Sequence, residues 1–137
     1  MQIAKSETVA VRSGAEVVSV RHAVRKYAVE LGFSIVEQTK VVTAASELAR
    51  NMVDYGGGGT MTLEALDDGI RRGLRLRFED HGPGIADLTL ALRDGYTTGS
   101  GMGLGLGGAK RLSNEFDIKT APGEGTTITI TRWKGAS

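Results

Sequence analysis

The spacing of apolar residues changes along the chain, and each change marks an element. Ile3 to Val11 reads as a strand, clearest at Thr8, Val9, Ala10 and Val11. From Ser13 and Gly14 the spacing becomes helical, with Val17, Val20, Val24, Tyr27, Ala28 and Leu31 on one stripe. Gly32 ends that helix, as glycine does at a helix C-terminus. Ser34 and Glu37 form a Ser-x-x-Glu pattern that satisfies the free N–H groups of a first turn, so a second helix starts there. It runs to Tyr55, because the block Gly56 to Gly59 cannot continue it.

Alternation by twos then takes over. Thr60 to Leu66 places Met61, Leu63 and Ala65 on one face. Asp67-Asp68-Gly69 is a turn signal. Leu74 to Asp80 turns Leu74, Leu76 and Phe78 inward and Arg75, Arg77 and Glu79 outward. A short helical piece is expected over 86–93 and another over 109–112. Two strands close the chain, Phe116 to Ala121 and Thr126 to Trp133, joined by the turn Pro122-Gly123-Glu124-Gly125. Helices and strands are segregated enough to predict one sheet covered on one side by helices, a two-layer α/β sandwich. The 137 residues suit a single domain spanning 1–137.

Composition narrows the functional classes. Seventeen basic residues against sixteen acidic ones leave a net charge of +1, so no face is forced to be basic and nucleic acid is not the expected partner. Cysteine is absent, which excludes disulfides, thiolate metal sites and a cysteine nucleophile. No stretch approaches the ~18 apolar residues of a membrane span, and the N-terminus lacks the apolar run of a signal peptide. A cytoplasmic protein with no membrane partner is the expectation. Glycine is the departure from the ordinary: 20 residues, gathered in clusters.

Four stretches have the residue types for chemistry. Glu47 and Asn51 are four apart and share a helix face. The amide oxygen is a hard ligand suited to Mg2+, and the carboxylate can take a proton from an attacking hydroxyl. Taken alone, such a pair is more often a solvated polar stripe. Asp80 ends a strand before Gly82-Pro83-Gly84. It can accept from an exocyclic amine such as that of adenine, with the glycines letting backbone approach a flat ring. An aspartate-containing tight turn fits the same residues. His81 reads as a loop residue.

The third stretch, from Gly99 to Gly108, offers successive backbone N–H groups with permissive dihedrals, an anion nest before a helix start. Leu104 and Leu106 suggest a loop that closes onto something. Gly103-x-Gly105-x-x-Gly108 matches the dinucleotide fingerprint only formally, since no strand precedes it. No Gly-Lys-Ser/Thr occurs, so it is not a P-loop either. The fourth stretch, Gly123-Glu124-Gly125-Thr126, would place a hydroxyl beside whatever Asp80 binds if the two strands are neighbours.

In content and order these four stretches resemble the nucleotide-binding boxes of the GHKL superfamily of gyrase, Hsp90 and histidine-kinase catalytic domains. Within it the chain most resembles the RsbT-type switch serine/threonine kinases. The stretches that carry the likeness are Ser46-Glu47-Leu48-Ala49-Arg50-Asn51, Glu79 to Ile85, Lys110-Arg111-Leu112, Gly123 to Thr126 and Trp133-Lys134. The resemblance implies a Bergerat ATP-binding fold, with a mixed, mostly antiparallel sheet and helices on one face. It implies ATP and Mg2+ as cofactors, and serine phosphorylation of a STAS-domain partner, often within a stressosome assembly. A PP2C-type phosphatase is an implied second partner. Glu47 is then the general base, Asn51 the metal ligand and Asp80 the adenine reader. Gly82 and Gly84 shape the purine pocket, and Thr126 supports the adenine. Gly101, Met102, Gly103, Leu104 and Gly105 belong to a lid over the phosphates. A catalytically silent nucleotide-binding module is one alternative, against which Glu47 and Asn51 are both present, and the anti-sigma kinase branch, which also sequesters a sigma factor, is the main competitor. Its chains typically carry a histidine where this one has Asp54 before Tyr55, and a basic lid residue where this one has Gly99.

Overall fold

The computed structural model describes residues 2–85 and 106–135. Among the described residues, five strands and three helices follow in the order β1 (Gln2–Val11), α1 (Gly14–Glu30), α2 (Ile35–Tyr55), β2 (Gly59–Asp67), β3 (Arg72–Asp80), α3 (Leu106–Arg111), β4 (Glu115–Thr120) and β5 (Thr126–Trp133). The expected helical piece over 86–93 lies outside the described residues.

The strands form one sheet in the order β1-β2-β3-β5-β4. Every pairing among them is antiparallel. A register shift between Ile3 and Lys5 bends the start of β1, the edge strand. In the β3–β5 pairing Asp80 faces Thr126, and in β2–β3 it faces Gly59. The three strand ends that carry the glycine motifs therefore meet at one edge of the molecule.

The core lies between the sheet and the two long helices. Met61, Leu63, Leu74, Leu76, Phe78, Ile128 and Ile130 are buried beneath Val17, Val20 and Val24 of α1 and Val41, Ala45, Leu48 and Met52 of α2. These are the faces that the two periodicities single out. The small residues Ala44, Ala45 and Ala49 let α2 lie close to its neighbours. Both helices start on a serine. Ser13 Oγ accepts the Glu16 N–H, and Ser34 and Glu37 form a reciprocal capping box. Such a cap stabilises by about 1 kcal/mol.

The opposite face of the sheet is polar, with Thr62, Arg75, Arg77, Thr127 and Thr129 half-buried on it. Glu64 and Leu66, like Thr131 and Trp133, are more deeply buried there than alternation predicts. Glu64 lies between Arg75 (2.7 Å) and Arg77 (3.3 Å), whose guanidinium groups hold its carboxyl below the usual carboxylate range. Leu66 shares a cross-strand row with Gly73 and Trp133. The indole occupies the space that a side chain at Gly73 would need.

Helix α3 starts earlier than the pattern predicts, at Leu106 rather than Ala109. Two glycines in its first turn cost roughly 1 kcal/mol each in helix propensity. Leu106, Gly107 and Ala109 are nevertheless buried, and α3 packs against α2. Tertiary packing offsets the weak local preference.

Candidate functional site

The site lies where α2 ends over the tips of β3 and β5. Leu48, Asn51, Met52 and Gly56 from α2 and its cap, Phe78 and Asp80 from β3, and Thr126 and Ile128 from β5 line one cleft. Pro83, Gly84, Ile85 and Leu106 complete it. Its walls are largely apolar and its polar groups few, the usual make-up of a small-molecule site.

Asp80 is its central polar group. The carboxylate is half-buried. Its Oδ1 accepts the Gly82 N–H at 2.9 Å. Removal from water raises its pKa above the ordinary aspartate value, and the N–H groups of Gly82 and Thr126 together with His81 pull it partly back. A carboxylate destabilised by burial gains from any further donor offered through the cleft.

Glycines make room for this side chain. A Cβ on Gly56 would sit 2.6 Å from Asp80 Oδ2, and one on Gly82 would sit 2.7 Å from the Gly56 backbone. Gly84 has a φ of +75° and lies against the Ala121 carbonyl; Gly125 has a φ of +80° and lies against the Asp80 carbonyl. Any side chain at these four positions would push backbone or the carboxylate aside. Of the four, Gly56 is the one that sequence presents only as a helix stop. It caps α2 through its N–H to the Met52 carbonyl, and it also touches the chemistry.

Asn51 and Glu47 occupy one face of α2, one turn apart, both half-buried. Asn51 lines the cleft; Glu47 is not among the cleft-lining residues and sits a turn earlier in the helix. Thus the fold brings Asn51, Asp80, Gly84 and Thr126 together, with Gly82 in the turn beneath and Glu47 beside them. The lid residues Gly101, Met102, Gly103, Leu104 and Gly105 lie outside the described residues. His81 and His22 are exposed and far apart in sequence, and Lys110 and Arg111 are exposed in the last turn of α3.

A nucleotide fits this arrangement. The cleft is apolar on its walls for a flat ring, and the Asp80 carboxylate is an acceptor for a ring amine. For a metal, no group of three His, Asp or Glu gathers among the described residues. The donor set near α2 is one amide oxygen, which suits a hard cation that takes most of its ligands from phosphate and water.

Thr120 is a residue that the sequence motifs leave out. Its hydroxyl accepts the Ile85 N–H at 2.9 Å and lies 2.9 Å from the Thr126 hydroxyl. It connects the turn after Asp80 to the β4–β5 hairpin. No local pattern marks it, because Ile85 is 35 positions away.

Comparison with known proteins gives the family. Residues 36–135 match the family model of histidine kinase-, DNA gyrase B- and HSP90-like ATPases. The chain is 43% identical over 118 residues to the serine/threonine-protein kinase RsbT of Bacillus subtilis (strain 168), covering 86% of this chain and 89% of that protein. It is 27% identical over 122 residues to an anti-sigma F factor of Thermoanaerobacter sp. (strain X514), covering 85% and 84%. Among solved structures, the RsbU and RsbW domains of a Mycobacterium tuberculosis protein superpose with a TM-score of 0.68 at 21% identity, over 97% of this chain and 34% of that one. The SiaB–SiaC complex of Pseudomonas aeruginosa gives 0.53 at 17%, over 96% and 90%. These two likenesses concern the fold alone. The chain belongs to the histidine kinase-, DNA gyrase B- and HSP90-like ATPase family and, within it, to the RsbT-type serine/threonine-protein kinases.

Proposed function

We propose that this kinase, acting as one unit over residues 1–137, phosphorylates a serine or threonine on a STAS-domain antagonist in a bacterial partner-switching stress pathway. The observation that carries the nucleotide part is Asp80: a half-buried carboxylate at a strand tip, ringed by glycines and opening onto an apolar cleft. The relative named RsbT supports the kinase branch. A PP2C-type phosphatase is the proposed second partner, a stressosome the proposed assembly and the cytoplasm the proposed location. No described helix is long and apolar enough to cross a membrane.

The proposed roles are those the family resemblance implies, and the shared cleft supports them for Asn51, Asp80, Gly84 and Thr126. Asp80 accepts from the adenine amine, while Gly82 and Gly84 allow the ring to lie against backbone. Thr126 supports the adenine from β5. Asn51 supplies an amide oxygen to Mg2+, which neutralises phosphate charge when bound. The partner's hydroxyl attacks the terminal phosphorus, its proton passes to the Glu47 carboxylate, and ADP leaves. With so little covalent work for the protein, its contribution is positioning and charge stabilisation.

Glu47→Gln separates binding from transfer. It should keep ATP affinity and lose phosphotransfer to a STAS protein by roughly 10²–10⁴-fold. Labelled ATP, Mg2+ and candidate STAS proteins are the reagents, and the label on the partner is the readout. A variant that labels its partner at the normal rate would show that Glu47 is structural.

The 27% likeness to an anti-sigma F factor favours one second reading, a kinase that also sequesters a sigma factor. Asp54 and Gly99 depart from that branch. Stoichiometric capture of a sigma subunit from the source lysate would decide for it.

A further inference from the structure

β4 ends on Thr120, whose hydroxyl oxygen has three polar neighbours. The Ile85 N–H donates to it at 2.9 Å. The Gly125 carbonyl oxygen lies 3.1 Å away and the Thr126 hydroxyl oxygen 2.9 Å away. Ile85 follows the glycine turn after Asp80, Gly125 belongs to the β4–β5 turn, and Thr126 opens β5. One side chain thus joins three segments that border the cleft.

A hydroxyl has one proton and two lone pairs. The Ile85 N–H uses one lone pair. The Gly125 carbonyl can only accept, so the Thr120 proton goes to it. The Thr126 hydroxyl then donates its own proton to the second lone pair of Thr120. In this arrangement all three short contacts are hydrogen bonds. If Thr120 donated to Thr126 instead, the Gly125 carbonyl would face a lone pair at 3.1 Å, which is unfavourable in a site half removed from water. The consequence falls on Thr126. Its proton is held against Thr120, so it turns only lone pairs toward the cleft that it lines. Directly across the β3–β5 pairing stands Asp80, a second acceptor.

We infer that Thr120 is a positioning residue for base selection: it fixes Thr126 as an acceptor, so that the cleft takes a purine with an amino group at this edge and refuses one with a carbonyl there. This rests on the Asp80 cleft being the base pocket. An exocyclic amine brings two N–H donors to two acceptors. A carbonyl brings lone pairs to lone pairs, and neither acceptor can adapt while Thr120 holds the Thr126 proton. Without Thr120 the Thr126 hydroxyl is free to rotate and donate.

The test is calorimetric titration of the full chain with ATP and with ITP, which replaces the 6-amino group by a carbonyl. The quantity read is the ratio of the two affinities. Thr120→Val keeps the side-chain shape and removes the hydroxyl; it should reduce the preference for ATP by roughly tenfold, the worth of one neutral hydrogen bond gained by ITP. Thr120→Ser, which keeps the hydroxyl, should retain the wild-type ratio. Equal weakening of both nucleotides in Thr120→Val, with the ratio unmoved, would overturn the proposal and leave Thr120 as a brace for the turn. Should Thr120→Val fail to fold, Thr126→Val removes the acceptor itself and must lower the same ratio; an unmoved ratio there also overturns the proposal. A wild-type chain without preference for ATP, together with an Asp80→Asn variant of unchanged affinity, would instead refute the base pocket, and the selection with it.

Discussion

Asp67-Asp68-Gly69 and Asp80-His81-Gly82 are two turns of the same kind at opposite ends of β3. In each, the first aspartate accepts the N–H of the glycine two positions on, Gly69 to Asp67 at 2.8 Å and Gly82 to Asp80 at 2.9 Å. Their surroundings differ. In the first turn, Asp68 also accepts the N–H groups of Ile70 and Arg71 and the Arg71 guanidinium. Those backbone donors, Arg71 first, pull its pKa from 3.8 to about 2. In the second turn, burial drives the Asp80 pKa upward. Space is treated differently too. The room left by Gly73 near the first turn is filled by the Trp133 indole, while the room left by Gly56 is taken by the Asp80 carboxylate, which lines a cleft. One end of the strand is closed on itself and stabilising. The other keeps an incompletely compensated carboxylate at a cleft, which costs stability where a further donor could offset it.

The largest effect should come from opening the closed end. Trp133 is buried, donates its indole N–H to Glu115 at 2.6 Å and lies under Arg71 at 4.0 Å. Trp133→Ala should cost about 3–5 kcal/mol of folding stability. Measured by urea denaturation, that loss should come with unchanged ATP affinity, because the indole lies seven residues along β3 from Asp80, roughly 23 Å at strand rise. A matching loss of affinity at temperatures where the variant is folded would mean that the two ends are coupled.

Asp80→Asn should act in the opposite sense. Replacing a charged acceptor by an amide should weaken ATP binding by roughly 10- to 100-fold, the value of a hydrogen bond to a charged group. Stability should stay level or rise. The sign follows from the raised pKa: the folded state holds the Asp80 proton more tightly than the unfolded chain, so ionisation costs stability as pH rises from the ordinary aspartate value through the folded one. Removing the charge relieves that cost at neutral pH, and the advantage should vanish below the ordinary aspartate value, where both states are protonated. A variant that binds ATP normally, or is destabilised at neutral pH, would make Asp80 an ordinary turn residue.

The contrast between the turns also marks how far sequence reaches. The core faces of α1, α2, β2 and β3 are legible because burial follows periods of 3.6 and 2, and the capping box at Ser34 and Glu37 is local chemistry. The positions of Asn51, Asp80, Gly84 and Thr126 are legible as ordered motifs, and the fold brings them together. What separates Asp80 from Asp68 is not legible. Both stand just before a glycine, and while Asp68 meets Arg71 three residues on, only the fold decides that Asp80 meets Gly56 and Gly125. Gly56 reads as a helix stop because its contact with Asp80 spans a strand pair. Thr120 is silent because its hydrogen bonds converge from three segments. Glu64 and Leu66 alternate outward, yet Arg75 and Arg77 from the next strand cover the first and the Trp133 row encloses the second. In each case the deciding neighbour is distant in sequence.

The smallest expected effect tests the closed turn directly. Asp68→Asn keeps an acceptor for one N–H but loses the charge that the backbone of Ile70 and Arg71 stabilises. Stability at neutral pH should fall slightly, with ATP affinity unchanged. The pH dependence is opposite to that of Asp80. A pKa lowered in the folded state gives stability that is present above the ordinary value of 3.8 and lost as pH falls toward about 2. Denaturation midpoints of wild type and Asp68→Asn should therefore converge across that interval. Salt separates the causes. The ion pair with Arg71 is exposed and screened, with a Debye length of about 3 Å at 1 M salt. The two backbone N–H groups touch the carboxylate directly, within 2.6 and 3.0 Å, and are screened far less. Most of the difference between wild type and Asp68→Asn should survive high salt. If it disappears there, Arg71's charge rather than the turn's own backbone holds the Asp68 carboxyl down.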